Sequence, residues 1–124
     1  MNKNRPVNLD LSTITLPVTG YVSILHRLSG VVMLVGVLAL IWLLQATLKS
    51  AEDFASVQKC FTSIGAKIVI WGILSALAYH LVAGIRHLIM DMGIGETLEG
   101  GRRGAKLVLV IATLLIAGLG VWLW

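Results

Sequence analysis

Charged residues in this chain are confined to short clusters separated by long apolar runs. No Asp, Glu, Lys or Arg lies between Arg27 and Lys49, between Lys67 and Arg86, or after Lys106. The runs are 21, 18 and 18 residues long, close to the ~20 residues that cross a hydrocarbon core of about 30 Å. They predict an all-α integral membrane protein with three transmembrane helices, over about residues 21–48, 63–92 and 106–124. Pro17 precedes the first span, and Ser63 or Thr62 stands where it can cap the second. The second span exceeds what a bilayer needs, so it is expected to tilt or project into water. Between the spans, "KSAEDFASVQKCFTS" reads as a polar connection and "GIGETLEGGRRGAK" as a Gly-rich flexible loop or turn. Residues 1–20 form a polar N-terminal segment, and residues 21–124 the membrane domain.

Composition agrees with this division. The 124 residues are 57% hydrophobic and 13% charged, more apolar surface than a soluble domain of this size can bury. The N-terminal segment lacks the apolar core and cleavage site of a secretory signal, and is no Arg-rich presequence, so a mature bacterial membrane protein is expected. Cys60 is the only cysteine, so this chain alone forms neither a disulfide nor a Cys-ligated iron–sulfur cluster. The net charge of +4 reflects residues beside the spans, and nothing points to nucleic acid. Three spans place the N-terminal segment and second loop on one side, with Lys3, Arg5, Arg27, Arg86, Arg102, Arg103 and Lys106. Seven basic residues there against three opposite predict a cytoplasmic N-terminus and a periplasmic C-terminus, in a bacterial inner membrane.

The candidate chemistry lies in two stretches. The second span ends in "HLVAGIRHLIMD", where His80, Gly84, His87 and Asp91 share one helical face. His80 falls within the apolar zone, where ionisable groups are costly and usually face a bundle interior or a cofactor. Neutral imidazole is a good axial ligand for haem iron, and Gly84 would let a flat macrocycle approach the backbone. The bland alternative for His80 is an interhelical hydrogen bond; for Arg86 it is a snorkelling interfacial cation; Asp91 can simply end the helix in water.

The first span opens on "SILHRLSG". Ser23, His26, Arg27 and Gly30 lie three, four and seven residues apart, on one helical face. This cluster begins one helix where Arg86 and His87 close another, so the two sets lie at one depth. A hydroxyl, two imidazoles and two guanidiniums there suit haem propionates and a quinone head group. The alternative is a solvated helix start. Trp71, the methionines and the remaining apolar residues read as lipid-facing or packing positions. Gly30, Gly36, Gly118 and Gly120 read as sites of close helix contact, and Trp122 and Trp124 as an interfacial aromatic belt.

Together "RPVNLDL", "SILHRLSG" and "HLVAGIRHLIMD-M-G" resemble the signatures of the cytochrome b556 membrane-anchor subunits of succinate dehydrogenases. The resemblance covers about residues 5–30 and 80–93, with the motifs in the expected order. It implies a three-helix anchor, paired with a second, similar anchor subunit around one shared b-type haem. It also implies attachment of a flavoprotein and an iron–sulfur subunit at the cytoplasmic face. By the same resemblance His80 is an axial haem ligand, and Ser23 and Arg27 line the ubiquinone site. His26, Arg27, Arg86 and His87 are implied near the propionates. A second iron ligand is expected from the partner anchor, since His26 and His87 both read as interfacial. Two alternatives remain: a haem-free, menaquinone-binding anchor of a fumarate reductase, and a small non-redox membrane protein. An intramembrane His80 argues against the first, and polar residues gathered at one side argue against the second.

Overall fold

The computed structural model describes residues 6–124; Lys3 and Arg5, which entered the charge count and the first motif, lie outside them. Among the described residues the fold is wholly helical. A 3-10 turn at Leu11–Thr13 precedes α1 (Val18–Thr47), α2 (Ala51–Cys60), α3 (Ile64–Asp91) and α4 (Leu98–Leu123). Helices α1, α3 and α4 are long and apolar enough to cross a membrane. Each packs against the other two, and successive long helices alternate in direction. The start of α1, the end of α3 and the start of α4 therefore meet at one end of the bundle.

Local chemistry sets the boundaries. The Asp10 side chain accepts the Ser12 N–H at the 3-10 turn, and the Ser12 hydroxyl donates to the same carboxylate at 2.6 Å. The Ser12 hydroxyl and N–H hold the Asp10 pKa below its ordinary value. Helix α1 begins directly after Pro17, whose ring cannot donate and fits a helix start. The polar connection is itself helical: Ser50 accepts the Asp53 N–H and donates to its carboxylate, opening α2. Ser63 caps α3 by accepting the Ala66 N–H.

The α3–α4 connection is shorter than the charged, Gly-rich sequence predicts. Helix α3 ends in a Schellman motif: Gly93 N–H donates to the Met90 carbonyl and Ile94 N–H to that of Ile89. Gly93 has φ 81° and Gly95 φ 76°, a region costly for any side chain. Thr97 then accepts the Gly100 N–H at 3.0 Å, so α4 starts at Leu98 and "LEGGRRGAK" is helix. A Cβ at Gly100 would stand 2.9 Å from Thr97 Oγ1 and 3.1 Å from the Gly95 carbonyl oxygen. Glu99 and Arg103 pair one turn apart on the exposed face.

The core is small. Val22 of α1, Tyr79 and Ala83 of α3, and Ala105, Val108 and Ala112 of α4 form its buried cluster. Alanines at the crossings let helix backbones approach closely, the usual packing device where lipid removes the hydrophobic drive between helices. Within the most apolar window of each span only 11% of residues are buried. Most of the apolar surface thus faces away from the chain itself.

Three of the four glycines expected at helix contacts make them. Cβ atoms at Gly36 and Gly120 would fall 2.8 Å from Ile73 Cγ2 and 3.3 Å from Trp71 Nε1, and one at Gly30 would meet His80. Gly118 faces open space. Trp71 does more than fill volume. Its indole N–H donates to the Ile116 carbonyl at 3.0 Å, and its ring meets Trp124 edge to face.

Candidate functional site

The site is assembled where α1 and α3 cross. The His26 and His80 rings stack with centroids 4.1 Å apart and planes 20° from parallel. His87, two turns beyond His80 on α3, leans against His26 at 5.1 Å and 51°. Two glycines make the approach possible. A Cβ at Gly30 of α1 would lie 3.3 Å from His80 Cε1, and a Cβ at Gly84 of α3 would lie 3.4 Å from His26 Nε2. The space over Gly84, expected from the sequence to admit a macrocycle, is thus occupied by His26 in this chain.

His80 is held through Nδ1, which lies 3.1 Å from the His26 carbonyl oxygen and 3.0 Å from Ser29 Oγ. The Ser29 hydroxyl donates to the same carbonyl at 2.6 Å. A carbonyl only accepts, and the Ser29 proton is already directed at it, so Nδ1 carries the ring proton. In its neutral form the ring then has its lone pair on Nε2, the tautomer suited to metal ligation. His26 differs: its Nε2 is buried without a hydrogen-bond partner among the described residues. A buried polar atom left in that state marks a position where a bound group would supply the missing bond.

Other residues singled out from the sequence separate from this cluster. Arg86 is only 9% exposed and crosses to α4, where Nη2 donates to the Gly101 carbonyl at 3.1 Å. Gly104 makes room for it, since a Cβ there would stand 3.2 Å from Arg86 Nε. Arg27 is exposed and Ser23 half-buried. The face that Ser23, His26, Arg27 and Gly30 share on a helical wheel is therefore divided between the α1–α3 contact and the outside of the bundle.

The depth of His26 also differs from expectation. Its ring lies between the levels of His80 and His87 and touches both. It still does not oppose His80 across a macrocycle, because two stacked rings in contact leave no gap between them for iron and porphyrin. Sequence reasoning missed Ser29, though it lies within the quoted motif, and Tyr79, whose hydroxyl donates to the Val22 carbonyl at 2.8 Å. It also missed Gly101 and Gly104. Two apolar grooves open on the bundle, about 410 Å3 between α3 and α4 and about 550 Å3 beside α1 and α3. Arg86 lines the first, but neither reaches His26 or His80.

These features define a multi-pass, all-helical membrane subunit with a histidine cluster clamped between two spans. Residues 1–119 match the succinate dehydrogenase/fumarate reductase transmembrane subunit family, and the chain belongs to it. Similar proteins include the succinate dehydrogenase cytochrome b556 subunit of Coxiella burnetii, 41% identical over 100% of both chains. The subunit of the same name from Paracoccus denitrificans is 32% identical, over 91% of this chain and 92% of its own. The succinate dehydrogenase cytochrome b560 subunit of Reclinomonas americana is 31% identical, over 80% and 72%.

Proposed function

We propose that this chain is the haem-bearing anchor of a succinate:quinone oxidoreductase. In this reading it shares one b-type haem with a second anchor subunit and helps form the ubiquinone-reduction site. It also fastens the flavoprotein and iron–sulfur subunits to the cytoplasmic face of a bacterial inner membrane. The observation that carries the proposal is the state of His80. Its Nδ1 is fixed on α1, which leaves Nε2 bare inside a membrane-spanning segment. Cytochrome b names among the relatives support it.

Bound at His80, a b-type haem would supply a one-electron redox centre within the membrane. Every other role belongs to this chain's residues. His80 offers a neutral nitrogen, and the unpartnered His26 Nε2 would have to turn away from Gly84 to meet a propionate. His87 and Arg27 stand at the end of the bundle where propionates would emerge. Arg86, tied to Gly101 on the far side of α3, contributes its charge from behind this group. A second iron ligand would have to come from the partner anchor, since His26 packs face to face on His80. Ser23 donates a hydrogen bond to one quinone carbonyl, and Arg27, one turn on, stabilises charge developing on quinone oxygen. The N-terminus lies in the cytoplasm, where the iron–sulfur subunit delivers electrons that a single cysteine cannot carry.

The test is a reduced-minus-oxidised spectrum of the purified complex, with and without His80→Leu. A b-type signal that shifts or is lost on substitution is expected. An unchanged spectrum and midpoint potential would remove His80 as a ligand, and absence of any haem signal in the wild type would favour a haem-free fumarate reductase anchor.

A further inference from the structure

Ser29 and Gly30 take no part in the haem and quinone contacts proposed above, yet both lie against the His80 ring. We propose that they are positioning residues, which fix the tautomer and the orientation in which His80 presents Nε2. The inference rests on the reading of His80 as a haem ligand.

The His26 carbonyl lies inside α1, where regular helix geometry already gives it the Gly30 N–H, four residues on. It also accepts the Ser29 hydroxyl at 2.6 Å and faces His80 Nδ1 at 3.1 Å. Three donors on one carbonyl exceed its two lone pairs. Ser29 relieves the crowding because its oxygen, 3.0 Å from Nδ1, is a second acceptor for the same proton. Its own hydrogen is spent on the carbonyl, so it cannot donate to Nδ1 and cannot stabilise the other tautomer. Ser29 is 6% exposed, so water does not substitute for it.

Gly30 sets the distance. Any Cβ there would stand 3.3 Å from His80 Cε1, so that the ring would have to give by a few tenths of an ångström where its Nδ1 contacts are set. Ser29 thus acts on the ring by hydrogen bonding and Gly30 by shape. Hydrogen bonds to the outer nitrogen of a metal-bound histidine raise its basicity and hold its plane. A haem on His80 would then be tuned from α1, a helix that does not ligate it.

The experiment uses the assembled complex, with midpoint potential, low-spin electron paramagnetic resonance signal and haem-to-flavin ratio as readouts. Ser29→Ala should raise the potential and shift the signal, since Nδ1–H loses one acceptor and the imidazole donates less charge. Ser29→Thr keeps a hydroxyl able to bond the carbonyl three residues back, and should restore both values. Gly30→Ala should lower the haem-to-flavin ratio. Thr113→Val, which removes a hydroxyl bonded to the Leu109 carbonyl on α4, should change nothing.

With haem shown to depend on His80, an unchanged potential and signal in Ser29→Ala would overturn the inference. So would a shift that Ser29→Thr does not reverse, which would make the role one of packing. If His80→Leu leaves the wild-type spectrum intact, the ligand reading itself has failed. Should Gly30→Ala fail to assemble, the two Ser29 variants decide.

Discussion

The two residues proposed at the quinone, Ser23 and Arg27, lie one turn apart at the opening of α1, and the bundle leaves them in different surroundings. Ser23 is half-buried and Arg27 exposed, so a head group reaching both would sit at the edge of the bundle. Ser23→Ala removes one donor with little change in volume, and Arg27→Leu removes the cation. A hydrogen bond to a developing charge is worth about 1.5–3 kcal/mol, so quinone reduction should fall on the order of ten- to a hundredfold. Electron transfer from succinate to a soluble artificial acceptor should persist. Normal quinone reduction in both assembled variants would reduce "SILHRLSG" to a membrane-boundary motif. At this scale the sequence was informative about residue type: a histidine in an apolar run stands out because burying it is costly. It was silent on Ser29, since helical periodicity relates residues on one helix and cannot show which side chain reaches a ring on another. For the same reason it gave Arg86 no partner on α4. Its direction follows from Gly101 and Gly104 on α4, small residues whose importance appears only once the helices pack.

Among the elements, the three long helices were legible because uncharged runs are a strong signal, whereas their neighbours were read as loop. Helix α2 carries a local mark of its own, Ser50 capping Asp53, with Glu52 and Asp53 in the first turn and Lys59 in the last. Its ten residues lie beside α1, and that support offsets the weakness of an isolated short helix. The start of α4 was hidden by five glycines in "GIGETLEGGRRGAK", although only Gly93 and Gly95 need positive φ. The others serve the Thr97 cap and the approach of Arg86. Glycine therefore has opposite consequences within one bundle, and a pair of variants exposes this. At Gly36 a Cβ would meet Ile73 Cγ2 at 2.8 Å, whereas at Gly72 nothing lies within 4 Å. Gly36→Ala should destabilise the α1–α3 contact by about 1–3 kcal/mol through overpacking. Gly72→Ala should be neutral, or stabilise by up to about 1 kcal/mol through lower backbone entropy. The midpoint of thermal dissociation of the purified complex measures both. Equal behaviour of the two variants would mean that Gly36 is not a packing site.

For the whole molecule the deciding quantity is orientation, because it sets which face receives the histidine-cluster end. The chain turns from α2 to α3 at the opposite end of the bundle, and Cys60 lies there, exposed. Lys49, Lys59 and Lys67 flank that end, while Arg27, Arg86, Arg102, Arg103 and Lys106 flank the other. Basic residues are retained on the cytoplasmic side during insertion, so α2 and Cys60 are expected in the periplasm. The large apolar surface left uncovered by the chain gives no orientation of its own; lipid and partner subunits cover it equally well either way up. A membrane-impermeant maleimide should therefore label Cys60 in spheroplasts and leave it unlabelled in inverted vesicles. A cysteine placed by Ser50→Cys, at the start of α2, should follow the same pattern and remove any dependence on a partner covering Cys60. Labelling of both positions only in inverted vesicles would reverse the bundle. The His26–His80 stack would then lie toward the periplasm, beyond reach of a cytoplasmic iron–sulfur subunit, and the proposed quinone site would lose its electron source.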